Sequence, residues 1–182
     1  MSRPTHLLRH EHRVIHQAMH ALEGMCVRMR AGGSVPDNEL TNMLDFIRIF
    51  ADGFHHGKEE RHLFPVLEKI GIKNENGPLA FLRGEHKTER NLLSELTRTV
   101  GEYRRDPAAR EKFVSVALQF KDRLIGHMQK EDAILFRLAE EMMDEPAKDS
   151  LNRALAVWNK ETQELTQRYE KMANELEKTW SV

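Results

Sequence analysis

The chain has 182 residues and carries 28 Lys and Arg against 29 Asp and Glu, a net charge of −1, a balance that gives no electrostatic footprint for nucleic acid or an anionic membrane. Hydrophobic residues at 40% and charged residues at 31% suffice for a packed core, and the length fits one domain of the usual ~100–200 residues. No apolar run reaches the ~18 residues of a membrane span, and Met1-Ser2-Arg3-Pro4 leads into mixed residues and not an apolar signal core, so a cytoplasmic protein is expected.

Apolar residues recur at three and four positions and period-2 alternation is missing, which predicts an all-α protein. A first helix runs from about Thr5 to Arg30 and stops at Gly32-Gly33. A second begins after Ser34, with Pro36 in its first turn, and runs to about Phe64. Pro65 removes one backbone hydrogen bond and predicts a kink before the helix continues to Gly71. A third helix spans about Leu79 to Arg105. A fourth opens on Asp106 as N-cap with Pro107 behind it and ends near Met143, and Asp144-Glu145-Pro146 starts a fifth. Short loops favour antiparallel neighbours, so the expected fold is an up-down four-helix bundle over residues 1–145, with a C-terminal fifth helix over 146–182.

The apolar stripes decide which polar residues point inward. In the first helix the stripe is Leu8, His12, Ile15, Met19, Leu22, Cys26 and Met29, so His12 faces the core. In the fourth it is Phe113, Ala117, Phe120, Leu124, His127, Glu131, Ile134 and Leu138, which puts a histidine and a glutamate in consecutive core places. Burying either unpaired is costly. The fifth helix repeats Leu151, Leu155, Trp158, Thr162, Leu165, Tyr169, Met172 and Leu176, a heptad seam that suits either a homodimer or a helix lying on its own bundle.

A repeat lies in the polar residues. Leu8-Arg9-His10-Glu11-His12 matches Leu82-Arg83-Gly84-Glu85-His86 at four of five places, and His55…Glu59-Glu60…Leu63-Phe64 matches His127…Glu131-Asp132…Leu135-Phe136 in spacing. Each copy supplies a lone core histidine and then, on the next helix, a His-x-x-x-Glu pair. Residues four apart lie on one helix face, ~6 Å apart in rise, so such a pair can converge on one ion. The single cysteine, Cys26, excludes thiolate sites and reads as core. Four imidazoles and two carboxylates suit two first-row metal ions with open coordination positions.

This pattern resembles the hemerythrin-like, or HHE cation-binding, family of di-iron four-helix bundles over roughly Thr5 to Glu141, most specifically in His55-His56-Gly57-Lys58-Glu59-Glu60 through Leu63-Phe64-Pro65. The resemblance implies two non-haem iron ions with His12, His55, Glu59, His86, His127 and Glu131 as ligands. His16, His56, Glu60 and Asp132 stand as further candidates. Oxygen-carrying members have a histidine where this chain has Arg90. They also place an aspartate where it has Asp132, a position turned away unless the helix contains a π-bulge. The arrangement is therefore more similar to the iron-regulatory and stress-repair branches.

Glu11 and Glu85, each preceding a lone histidine, could accept the second ring N–H of a ligand imidazole. His6, His10, His20 and His62 read as solvated, and Met19, Met25, Met29, Met43 and Met128 as bundle filler. The expected function is binding or reduction of a small oxidant, O2, peroxide or NO, served by an electron donor that the sequence does not name. A non-enzymatic oxygen- or iron-responsive sensor is the alternative. Zinc or manganese could replace iron in such a site.

Overall fold

A computed structural model describes residues 5–181; residues 1–4 and 182, at the ends of the two expected spans, lie outside the described residues. Helix α1 is His6–Arg30. Helix α2, Asp37–Asp45, runs on through π-helical turns over Phe46–His56 and Glu59–Leu63 into α3, Phe64–Lys69. Helix α4 is Pro78–Thr99. Helix α5, Pro107–Lys130, passes through a π-helical turn at Glu131–Leu135 into α6, Phe136–Met142. Helices α7, Glu145–Glu161, and α8, Gln163–Trp180, complete the chain, and no strand occurs among the described residues. No helix of the described residues is long and apolar enough to cross a membrane.

The punctuation acts as the residues dictate. Asp106 and Asp144 cap their helices by accepting from the backbone N–H of Ala109 and Ala147 at 2.7 and 2.9 Å. Gly32 and Gly71 end theirs at φ +82 and +97, in the left-handed region. The third helix ends six residues short of the expected Arg105, at Thr99. Beyond it Tyr103 turns inward and its hydroxyl donates to the carbonyl of Val35 at 2.8 Å.

The expected kink at Pro65 gives way to something broader. The N–H of Phe64 bonds the carbonyl of Glu59, five residues back, and the N–H of Phe136 bonds that of Glu131 in the same way. Arg137 stands where a second proline would have to be, so proline does not cause these turns; each starts at a glutamate of the repeated motif. The extra residue rotates everything downstream. Ile134, expected in the core, is 61% exposed, Leu138 is only half-buried, and Leu135, Phe136 and Ala139 are buried instead.

The fifth helix is broken at Thr162, whose hydroxyl donates to the carbonyl of Trp158 at 2.6 Å. Its seam is covered within the chain: Leu151 and Leu155 are buried, and α8 lies along α1 with Tyr169, Ala173 and Leu176 in the core. At Gly24 on α1 this packing leaves no room for a side chain, because a Cβ there would collide with the backbone of Trp180.

Two apolar clusters make up the core. The larger holds Ile15, Met19, Phe46, Phe50, Leu96, Phe113 and Leu124; the smaller holds Leu8, Leu63, Phe64, Leu82, Leu135 and Phe136. Along every bundle helix the histidines and glutamates of the repeat fall between these groups, so a polar layer separates them. Cys26 and the five methionines expected as filler are buried in the larger cluster, and burial pushes the Cys26 thiol up to about 12.

Candidate metal centre

The candidate centre draws on α1, the π-helical run after α2, α4, and the end of α5, and all six side chains of the repeat are buried there. Glu131 lies between His12 and His127, with Oε2 3.3 Å from His12 Nε2 and Oε1 3.3 Å from His127 Nε2. Glu59 lies between His55 and His86 at 3.6 Å from each Nε2. Each carboxylate thus faces one imidazole from each copy of the repeat. Two ligand atoms each ~2.1 Å from a shared first-row ion stand ~3.0–3.5 Å apart; the separations at Glu131 fall within that range and those at Glu59 just above it.

The far side of each imidazole is held by an acid. His55 Nδ1 donates to Glu11 at 2.9 Å, His127 Nδ1 to Glu85 at 3.0 Å, and His86 Nδ1 to Glu60 at 2.7 Å. His12 Nδ1 lies 3.1 Å from Asp132, close enough for an ion pair but without the alignment of a hydrogen bond. Each acid has a cation behind it: Lys58 on Glu11, Lys130 on Glu85, Arg90 on Glu60 at 2.9 Å and Arg9 on Asp132 at 3.0 Å. The lone histidines are also stacked by phenylalanines of the opposite copy, His12 on Phe136 and His86 on Phe64, with ring centroids 5.3 and 5.8 Å apart. Such buttressing fixes ring orientation and raises the basicity of the nitrogen left free.

What these free atoms face is each other. His55 Nε2, His12 Nε2, and all four carboxylate oxygens of Glu59 and Glu131 are buried without a hydrogen-bond partner. His86 Nε2 and His127 Nε2 meet at 3.0 Å. Burial and the charge of Glu131 push the Glu59 carboxyl well above the usual carboxylate range. Glu131 goes the other way: burial opposes its charge, but His127 and His12 outweigh it and hold the carboxyl well below that range. Burial also opposes charge on His127, yet Glu131, Glu85 and Glu89 raise it to about 11, while burial lowers His55 to about 4. A buried layer so divided is what a divalent cation relieves, and the residues present fit one.

Two groups of side chains could each hold an ion, His12 with His55, Glu59 and Glu131, and His56 with Glu59, His86 and His127; within each, the ligand atoms lie within 4.8 Å of one another. The further candidates divide. His56 enters the second group, because π-helical turns bring neighbouring positions onto one face more closely than the ~100° step of an α-helix. Glu60 and Asp132 support imidazoles from behind. Asp132 reaches His12 because its helix contains the π-turn. His16 is half-buried outside both groups.

Of the histidines expected in solvent, His6 and His20 are exposed, but His10 is half-buried with Nε2 2.7 Å from Glu170 on α8, and His62 is half-buried against Trp158. Sequence reading passed over Glu89, which is buried with both oxygens unpartnered; its place three residues after His86, on the same helix face, was the available signal.

The family model described as the hemerythrin HHE cation binding domain matches residues 3–139 and again 77–181, the second match taking in the second copy of the repeat. No curated protein and no solved structure matches the chain.

Proposed function

Because the chain belongs to the hemerythrin HHE cation-binding family, we propose that it holds two metal ions, iron foremost, and uses them to bind or reduce a small oxidant such as O2, peroxide or NO. The observation that carries this reading is the pair of glutamates, each set between imidazoles of the two copies at 3.3 or 3.6 Å with no other partner. Carboxylates so placed could serve both ions. His12 and His55 would hold one ion, and His86 and His127 the other.

Bound iron supplies the redox chemistry. The chain's own residues do the rest: the Glu11, Glu85, Glu60 and Asp132 carboxylates keep the far ring nitrogens protonated and aim the near ones inward. The phenylalanine-lined layer keeps bulk water out. This fits an oxidative or nitrosative stress role or iron supply. Electrons for any reduction would come from a separate donor.

A second reading, a sensor, is favoured by one contact: Lys58, on Glu11 behind His55, also donates to Asn159 Oδ1 on α7 at 2.7 Å, so the centre is linked to the C-terminal helices.

Elemental analysis of protein made in iron-replete cells and purified anaerobically tests the proposal, followed by spectra after addition of air, peroxide or NO. About two ions per chain are expected, with spectral change on at least one addition. Glu59→Ala and Glu131→Ala are each expected to lose both ions, and His6→Ala none. A content at or below one ion after reconstitution, or glutamate variants that load like the parent, would sink the paired site. Zinc or manganese in place of iron, with no response to oxidants, would leave the bundle but remove the redox role.

A further inference from the structure

The repeat that makes the two ion positions alike is broken at two buried places. Position 56 corresponds to Met128 and position 89 to Ile15 in the other copy, and both of those are apolar and buried. His56 and Glu89 are 2% and 3% exposed, and both ring nitrogens of the one and both oxygens of the other have no hydrogen-bond partner. Two polar side chains stand in the core where the other half has two hydrophobic ones.

They face the same point. His56 Nε2 lies 3.6 Å from Glu89 Oε2, the separation that His55 and His86 keep from Glu59. The His56 ring lies 3.9 Å from that of His86 and 5.4 Å from that of His127. The other nitrogen, Nδ1, is 3.4 Å from Asp52 Oδ1, and Asp52 is bound at 2.7 Å by Arg90. An imidazole with an acid behind it and a cation behind the acid is the arrangement found at the other four histidines of the centre.

We propose that His56 and Glu89 are additional metal ligands that serve only the ion on His86 and His127, so that the two positions bind with unequal strength and fill in order. This rests on the two-ion reading above. The second position then draws on three imidazoles and the Glu59, Glu131 and Glu89 carboxylates, six donors in all. The first has two imidazoles and the two shared carboxylates. The better-furnished position fills first and keeps its ion, and the His12–His55 position exchanges its own. At limiting metal the protein holds one ion, in a known place.

The test is an anaerobic titration of the metal-free, full-length protein with Co(II), read by visible absorbance against a competing chelator and by NMR of the histidine rings. Two steps are expected, separated at least tenfold in Kd, with the first equivalent perturbing the rings of His56, His86 and His127 before those of His12 and His55. His56→Met and Glu89→Ile copy the residues of the other half. Each is expected to weaken the first step at least tenfold and bring the two steps together; Glu89→Gln keeps the shape and removes the donor. The ring signals of the parent decide the matter if a variant fails to fold. Two steps of equal affinity, early perturbation of His12 and His55, or a His56→Met titration that matches the parent overturns the proposal. Binding of only one ion refutes the two-ion reading and with it the order of filling; an ion on His56, His86 and His127 keeps the ligand assignment, and an ion on His12 and His55 overturns it.

Discussion

Lys58 and Lys130 hold corresponding places in the two copies of the repeat, each bound to the glutamate that steadies a histidine of the centre, yet the Lys58 side chain is 0% exposed and the Lys130 side chain 40%. The difference comes from outside the repeat. Helix α7 brings Asn159 onto Lys58, which also lies 4.1 Å over the ring of Phe54. Lys130 has the ring of Phe81 beside it at 5.1 Å, and Phe81 is itself exposed. One motif repeated in sequence therefore has two environments, and what is added after the second copy decides which half is sealed.

The harshest way to break this comparison is to remove its cause. A chain ending near Pro146 loses the burial of Leu151, Leu155, Tyr169 and Leu176, four side chains worth ~1.5–3 kcal/mol each when fully buried. The sum, ~6–12 kcal/mol, is comparable to the ~5–15 kcal/mol that stabilises a whole domain. We expect the truncated chain to aggregate or to melt well below the parent in calorimetry. The seam being covered within the chain, light scattering of the full-length protein should give the mass of one chain; a dimer would assign the half-buried remainder of that seam, Trp158, Leu165 and Met172, to a partner.

A gentler break compares the lysines directly. Lys58→Met leaves Glu11 buried without its cation and is expected to cost ~3–5 kcal/mol in denaturant unfolding, while Lys130→Met, at a solvated pair, is expected to cost ~0–1 kcal/mol. Equal losses would mean that the C-terminal helices do not set the difference.

Smallest of all should be Pro65→Ala. The same widened turn forms at Glu131–Leu135 with Arg137 in the corresponding place, so the turn at Glu59–Leu63 should survive. Metal content is expected to stay unchanged and stability to move by no more than ~1 kcal/mol; loss of metal would show that the first half, unlike the second, depends on its proline.

The helices, their caps and the six repeated histidines and glutamates were legible in the sequence because each depends on local rules or on spacing within one helix. The π-turns were not. A widened turn costs one residue of register and leaves no mark in apolar periodicity upstream of it, so Ile134 read as core and Leu135 did not. Glu60 and Asp132 were visible as candidates, but their task behind His86 and His12 depends on contacts between helices, which no single-helix pattern contains. Glu89 escaped for a related reason: one glutamate on a charged helix looks like solvated surface until burial singles it out. The break at Thr162 interrupts a heptad pattern that itself runs on unbroken, since α7 and α8 each use their share of it against different parts of the bundle.

The exchange of supports between the copies also has a kinetic side. Asp132 of the second copy steadies His12 of the first, and Arg9 reaches Asp132 across 123 residues of chain. On the two-ion proposal neither copy completes its own ion position, so the centre would assemble only after both have docked. Once formed, an ion gripped by His12 and Glu131 closes a loop of more than ~100 residues, a restraint that a disulfide of that span supplies at ~4.7 kcal/mol in the chain-entropy model. The proposed ligand set would thus act as a late, reversible cross-link on the unfolded ensemble, and the lifetime of the bound ion and the lifetime of the folded bundle would become two readings of one clock.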